Sequence, residues 1–319
     1  MLRTEPQVIN STHGIDKHSA LALTERNGAE LYDLFVSARK AREKFRGNKA
    51  DLCSIVNAKS GACPEDCSFC AQSTYSKTST PVYPLLNKEH VLKAALHAKK
   101  QGVRRFCIVT SGKAPSNKEL DEICHFISEL RKHELLPCAT LGMLNPGQLK
   151  QLKEAGLNRY HHNLETSEAF FSEICTTHTY QDKMKTINAV KSLNLSLCSG
   201  GIFGMGESWT DRIEMAFALK DIGVDSVPIN FFTPVKGTPL GDREVLSPLE
   251  ALKIIAVYRL ILPESEIRVC GGRHMTLRDL HSHIFLAGAD GLLLGNYLTT
   301  QGRNPVDDLQ MIQDMGLEI

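Results

Sequence analysis

No run of about 18 apolar residues occurs anywhere in this 319-residue chain, so it offers no candidate for a membrane-spanning helix. The opening stretch MLRTEPQVINSTHGIDKHSA lacks the apolar segment of a secretion signal, and a cytoplasmic location is the expectation. An excess of one charge is missing too: 37 basic residues face 36 acidic ones, which leaves no electrostatic reason to expect nucleic acid or an anionic membrane as the main partner. The twelve histidines form no H-E-x-x-H spacing, and no serine or cysteine nucleophile elbow is present. No Gly-rich dinucleotide turn follows the first β-rich run, and no low-complexity tract, charge block or linker divides the chain. These absences leave a soluble enzyme of small molecules, with 42% hydrophobic residues to bury in one large core.

Cysteine, by contrast, is plentiful: there are ten. Disulfide frameworks belong to short secreted domains, so in a chain of this length metal ligation is the better use for several of them. Cys63, Cys67 and Cys70 stand as C-x3-C-x2-C in GACPEDCSFCAQS. Three thiolates within eight residues can hold one metal centre and leave a coordination position free for chemistry, whereas structural zinc and most iron–sulfur cubanes take four protein ligands. A zinc-binding loop is the alternative that spacing alone leaves open.

The runs DLCSIVNA, RFCIVTS, LPCATLG, NRYHHNL, LSLCSGG, DSVPIN, EIRVCGG and GLLLGNYL read as eight strands. Amphipathic stretches alternate with them, one of which begins with a capping-box pair, Ser116 and Glu119, ahead of Leu120, Ile123, Ile127 and Leu130. The markers Cys107, Cys138, Asn163, Cys198, Asn230 and Arg268 recur 25 to 38 residues apart, the rhythm of β/α units. The predicted fold is α/β, a TIM-type (β/α)8 barrel over 51–300. A helical extension over 1–50 precedes it, polar and irregular to about Asn27 and then helical with Leu31, Leu34, Phe35 and Ala38 on one face. A tail helix over 301–319 follows. The cysteine loop directly after the first strand then lies at the catalytic mouth, and cysteines of the second, third, fifth and seventh strands can meet inside.

With Phe69 before its last cysteine, the C-x3-C-x2-C loop resembles that of the radical S-adenosylmethionine enzymes. SGACPEDCSFCAQS, NLETS, CSGGIFGMGES, SVPINFF, VKGTPL and IRVCGGR together resemble, more narrowly, the biotin synthase family. The resemblance implies sulfur insertion into dethiobiotin, a radical sulfurtransferase reaction. Cys63, Cys67 and Cys70 would hold a [4Fe–4S] cluster whose fourth iron chelates S-adenosylmethionine, and an electron would release a 5′-deoxyadenosyl radical. Cys107, Cys138 and Cys198 match ligands of an auxiliary [2Fe–2S] cluster that donates the sulfur, and Arg268 matches an unusual arginine ligand. Taken singly, each of these cysteines could instead be a buried structural residue.

The chain departs from the family at Cys270, where serine is expected. Because residues two apart on a strand share a face, Arg268 and Cys270 point inward together, and thiolate is the better iron ligand. Cys107, Cys138, Cys198 and Cys270 are therefore expected to hold the auxiliary cluster, two-iron or four-iron, with Arg268 behind it as a balancing cation; the alternative is that Cys270 merely replaces a small residue. Asn163 and Glu165 alternate along the fourth strand and are expected to project together into the mouth; by resemblance Glu165 would bind the cofactor ribose and Asn163 would lie between cofactor and substrate, although aspartate is usual at the first position and asparagine at His161. Asn230 would bind the cyclic urea of dethiobiotin, against the plainer reading of a strand-end asparagine, and Phe69, Gly204 and Gly206 would border the cofactor. Cys53, Cys124 and Cys175 match no ligand position and read as structural. Expected partners are a flavodoxin- or ferredoxin-type electron donor, iron–sulfur assembly proteins and a second copy in a homodimer. The alternatives are a related radical barrel acting on another substrate, such as a metallocofactor maturase, and a metal-storing scaffold.

Overall fold

Short β-branched and apolar runs alternate with amphipathic helices in the computed structural model, which describes residues 12–319. The strands are β1 (Asp51–Lys59), β2 (Arg105–Thr110), β3 (Leu136–Thr140), β4 (Arg159–His161), β5 (Ser196–Cys198), β6 (Gly201–Phe203), β7 (Ser226–Phe231), β8 (Glu266–Val269) and β9 (Gly291–Leu293). Neighbours run parallel in the order β5-β4-β3-β2-β1-β9-β8-β7-β6, and a β5–β7 pairing closes the sheet. Because β5 and β6 are consecutive pieces of one stave, the nine segments make eight staves, and the predicted (β/α)8 barrel is the observed fold. That stave breaks at Gly200, where a Cβ would fall 2.1 Å from the Pro228 carbonyl oxygen; only glycine lets the two backbones come so close.

The helices are α1 (Lys17–Thr24), α2 (Gly28–Arg46), α3 (Lys88–Lys100), α4 (Asn117–Lys132), α5 (Pro146–Glu154), α6 (Tyr180–Ser192), α7 (Trp209–Ile222), α8 (Pro248–Ile261), α9 (Arg273–Leu277), α10 (His283–Leu286) and α11 (Pro305–Asp314). The capping box at Ser116 is formed: Ser116 Oγ accepts from the Glu119 N–H at 3.3 Å, and Glu119 accepts from the Ser116 N–H at 2.8 Å. In α2, Leu31, Leu34, Phe35 and Ala38 are buried as their spacing predicts. One expectation fails: residues 17–24 are not irregular but form α1, N-capped by Asp16 accepting from the Ser19 N–H at 2.7 Å. The rest of that polar run, residues 1–11, lies outside the described residues.

Helix α8 is buried from Ala251 to Ile261, sandwiched between the barrel and α2. Its Arg259 is wholly buried yet saturated: it donates to the carbonyls of Gly288 (2.8 Å), Pro263 (2.9 Å) and Ser265 (2.9 Å) and pairs with Asp290. Asp290 in turn accepts from the Ile267 N–H at 2.7 Å, so one ion pair locks α8, β8 and the approach to β9. Among the described residues no helix is long and apolar enough to cross a membrane.

Candidate functional site: a thiol-lined barrel cavity

Strand alternation divides the barrel side chains into two sets. Leu52, Phe106, Ile108, Ala139, Tyr160, Leu197, Ile267 and Val269 are buried outward against the helices. Their neighbours Cys53, Arg105, Cys107, Cys138, His161, Cys198, Arg268 and Cys270 line a cavity of about 340 Å³ inside the barrel. The four barrel cysteines expected to converge therefore do so. Cys53, which read as structural, joins them in the lining: third in β1, it is paired with Arg105 on one side and Leu293 on the other, and shares a small buried cluster with Cys270. All ten cysteines are free.

Beneath the thiols lies a network of opposite charges. Arg159 grips Glu266 through two bonds of 2.6 and 3.3 Å, Arg268 binds Glu266 at 2.9 Å and pairs with Asp51, and Arg105 donates to Asn158 at 2.6 Å. Burial opposes the charge on Glu266, but Arg159 and Arg268 hold its carboxyl down to about 2. Three guanidiniums against two carboxylates leave a positive surplus under the cysteines. The Cys107 S–H bonded to it, against burial and with help from His161, Arg105 and Arg159, pulls Cys138 down to about 6. Cys53 falls to about 7 through Cys270 in the same way, again against burial and helped by Arg268. The partners Cys107 and Cys270 are pushed up. His161 Nδ1 lies 3.3 Å from Cys198 Sγ; burial disfavours its charge, but Cys198 outweighs burial and raises the imidazole to about 9.

At the mouth, the loop after β1 carries the C-x3-C-x2-C motif, folded by Cys70 N–H donating to the Cys67 carbonyl (2.9 Å) and Cys63 N–H donating to the Gln72 carbonyl (3.0 Å). Phe69 and Cys70 reach the cavity, which Asn163, Glu165 and Asn230 also line. The regular part of β4 ends at His161, but the parallel pairing expected to carry Asn163 and Glu165 runs on: His162 N–H donates to the Cys198 carbonyl (2.9 Å), Leu164 N–H to the Gly200 carbonyl (3.0 Å), and Glu165, with φ +73°, bridges Gly201. Asn163 and Glu165 project together, the Asn163 amide donating to Glu165 at 3.2 Å and accepting from the Gly200 N–H at 3.1 Å. Asn230 accepts from the Gly271 N–H at 2.9 Å and donates to the Gly201 carbonyl at 3.1 Å, a brace between stave ends that leaves one donor and one acceptor position spare.

Gly204 and Gly206 lie outside the cavity lining, in a turn with φ of +101° and +120°. Sequence reading overlooked what shapes that turn. The buried Glu207 carboxylate accepts from the N–H groups of Gly204 (2.8 Å), Met205 (2.8 Å) and Gly206 (3.1 Å) and from Arg212 Nε (2.8 Å). A carboxylate directly after G-x-G was the available signal. Cys175, read as structural, instead lies beside the motif, its Sγ 3.8 Å from that of Cys67, whereas Cys124 packs on α4 as expected.

Residues 58–219 match the Radical SAM superfamily, and residues 228–318 match the Biotin and Thiamin Synthesis associated domain. A biotin synthase of Thermodesulfovibrio yellowstonii is 55% identical, covering 91% of this chain and 92% of the relative. One from Citrifermentans bemidjiense is 50% identical over 95% and 93%. The chain belongs to the biotin synthase family. Among solved structures, methylornithine synthase aligns with a TM-score of 0.83 at 20% identity over 96% of this chain and 94% of that one. HydG, a maturase of FeFe-hydrogenase, aligns at 0.82 and 15% identity over 95% and 72%; at such identities these two speak to the barrel alone. As a biotin synthase family member the chain is a radical S-adenosylmethionine sulfurtransferase that uses a [4Fe–4S] cluster and an auxiliary cluster, with dethiobiotin and S-adenosylmethionine as substrates. Its donor set suits such groups: soft, free thiols, buried together over a cationic floor, where unneutralised thiolates would be costly.

Proposed function

We propose that Cys63, Cys67 and Cys70 hold the [4Fe–4S] cluster of this biotin synthase family member and that the auxiliary cluster lies among Cys107, Cys138, Cys198 and Cys270, with Cys53 within the same donor set. When bound, these groups supply radical hydrogen abstraction and the sulfur atom. The protein's part is positioning. Glu165, turned inward by its left-handed backbone, offers a carboxylate for ribose hydroxyls, and Asn163 steadies it from the substrate side. The spare donor and acceptor of Asn230 suit the planar urea of dethiobiotin, while its other bonds keep the amide fixed. Phe69 closes the apolar flank, and Gly204 and Gly206 border the cofactor through the Glu207-shaped turn. A mostly apolar cavity keeps water from a reactive carbon.

Arg268 fits the role of a balancing cation better than that of a ligand. It is buried, paired with Asp51 and Glu266, and held well protonated by Cys53 and those carboxylates against burial. A protonated guanidinium has no lone pair to give a metal. We further propose a cytoplasmic homodimer fed by a flavodoxin- or ferredoxin-type donor and loaded by iron–sulfur assembly proteins.

The observation that carries this reading is the convergence of five thiols inside the barrel, below the motif loop. A barrel that only cleaves S-adenosylmethionine has no need of them. The test is anaerobic Mössbauer spectroscopy of iron-57-reconstituted protein, with iron, sulfide, 5′-deoxyadenosine and biotin counted before and after reductant, S-adenosylmethionine and dethiobiotin. A second cluster that changes as biotin accumulates supports it. Deoxyadenosine formed from one cluster without biotin would favour a radical enzyme of another substrate.

A further inference from the structure

Behind the cysteine loop, away from the barrel cavity, Cys175 and His178, which the reaction above does not use, are assembled beside Cys67 into a second group of metal-ligating side chains. The segment after the 3-10 turn Phe171–Glu173 folds against the loop: Ser68 N–H donates to the Ile174 carbonyl at 2.8 Å and Asp66 N–H to Thr177 Oγ1 at 3.1 Å. The Asp66 carboxylate answers by accepting from the N–H groups of Thr176 (2.9 Å) and Thr177 (3.2 Å). Residues more than a hundred positions apart are thereby fixed side by side, and Cys175 Sγ comes to rest 3.8 Å from Cys67 Sγ.

His178 completes the group. Its Nδ1 and Nε2 lie 3.2 and 3.8 Å from Cys175 Sγ, its Nδ1–H donates to the buried Glu65 carboxylate at 2.5 Å, and the Phe171 ring packs edge-on against it at 5.6 Å. The ligand atoms of Cys67, Cys175 and His178 all fall within 4.8 Å of one another. Two sulfurs on one tetrahedral ion, each at about 2.3 Å from it, stand about 3.8 Å apart, and a sulfur and an imidazole nitrogen stand about 3.5 Å apart. The Cys67–Cys175 separation of 3.8 Å matches the first edge, and the 3.8 Å from Cys175 Sγ to His178 Nε2 comes near the second. With Nδ1–H held by Glu65, Nε2 is the nitrogen left for an ion, and a carboxylate placed so is the arrangement that fixes the tautomer and orientation of a metal-bound histidine. A hydrogen-bonded thiol pair alone would explain Cys67 and Cys175, but not a carboxylate-held histidine brought to the same sulfur.

We propose that the cluster-free chain binds a single divalent transition-metal ion, ferrous iron in the cell, through Cys67, Cys175 and His178, and surrenders Cys67 to the [4Fe–4S] cluster when that is assembled. The second half rests on the reading of Cys67 as a cluster ligand; the first half does not. Ion and cluster are then mutually exclusive, so the site holds the first iron beside the loop that needs it and keeps Cys67 ligated while the cluster is absent.

Cobalt(II) is the probe, titrated anaerobically into reduced, chelator-stripped full-length protein. Thiolate-to-cobalt charge transfer and tetrahedral ligand-field bands amounting to one ion per chain should disappear in Cys175→Ala, His178→Gln and Cys67→Ala, persist in Cys63→Ala, and vanish from the wild type on reconstitution with iron and sulfide. Cobalt at the barrel thiols cancels in the wild-type-minus-variant difference. His178→Gln keeps a donor for Glu65, so it serves where Cys175→Ala unsettles the fold. Cobalt bound by Cys175→Ala and His178→Gln as by the wild type would overturn the site. Reconstituted Cys175→Ala should still cleave S-adenosylmethionine. If Cys67→Ala also cleaves it, the cluster assignment fails while the cobalt result stands by itself.

Discussion

Replacing Glu207 by glutamine tests how the Gly-rich turn beside the cavity is held. The carboxylate is saturated: Oε1 accepts from Gly204 N–H and Arg212 Nε, and Oε2 accepts from Met205 N–H and Gly206 N–H. An amide has a single acceptor oxygen, so either orientation sets its NH2 against two donors and strands both. Hydrogen bonds to a charged group contribute about 1.5–3 kcal/mol each, and the loss of two would cost about 3–6 kcal/mol. Arg212 retains Glu250 at 2.6 Å and the Trp209 ring at 4.9 Å, which softens the loss toward about 3 kcal/mol, or roughly a hundredfold in the folding equilibrium. The assay is urea unfolding of cluster-free protein under anaerobic conditions, so that iron binding does not mask the change. Affinity for S-adenosylmethionine, measured on reconstituted protein, should fall alongside if the turn borders the cofactor. A loss under about 1 kcal/mol would show that packing, not the carboxylate, shapes the turn.

Cys270→Ser should spare cleavage of S-adenosylmethionine while lowering auxiliary iron and biotin formation; iron counts and biotin yields equal to the wild type would refute a ligand role, and Cys53→Ser run in parallel identifies which of the two donates. Cys67→Ala should abolish deoxyadenosine formation altogether, and any retained cleavage measured by chromatography would sink the primary-site assignment. Glu266, with its carboxyl lowered from 4.5 to about 2, adds stability that is full above pH 4.5 and is lost as pH falls through 2. In cluster-free protein the stability difference between wild type and Glu266→Gln, on the order of 3 kcal/mol near neutral pH, should therefore close across that window, and a pH-independent difference would contradict it. Arg259→Met, which removes the cation paired with Asp290 and the donor to four carbonyls, should lower stability by about 3–5 kcal/mol in the same unfolding assay, and a neutral result would mean that α8 is held by apolar burial alone.

The barrel was legible because periodicity is local: eight apolar runs at regular spacing became eight staves, and the Ser116 capping box marked the start of α4. Helix α1 was missed because it is only eight residues long and its apolar residues Ala20, Leu21 and Leu23 form no clean helical stripe, although they pack on the core. The joint projection of Asn163 and Glu165 was legible because the parallel pairing runs on past His161 to the Glu165–Gly201 bridge; what was not legible is the irregularity there, where Glu165 takes φ +73°. Cys53 was recoverable in principle, because parity along β1 puts it on the same face as Ile55, inside the barrel. No local pattern discloses the meeting of Cys67 with Cys175 and His178, because it depends on how a turn 108 residues away folds back on the loop.

The charges around the cavity argue for thiolate ligation more strongly than the count of cysteines does. Five buried thiols could remain protonated and inert, as free cysteines in cores commonly do. Here they stand over Arg105, Arg159 and Arg268, with Glu266 and Asp51 as paired carboxylates, and Cys138 and Cys53 are lowered first by the S–H of Cys107 and Cys270, against burial, and then by these cations. A permanent cationic floor destabilises nothing once anionic sulfur sits above it, but it would be costly under an apolar core. The surplus guanidinium charge is suited to a site that carries negative charge in its working state. Arg268, bound on one side by carboxylates and facing Cys53 and Cys270 on the other, is placed to balance such a charge.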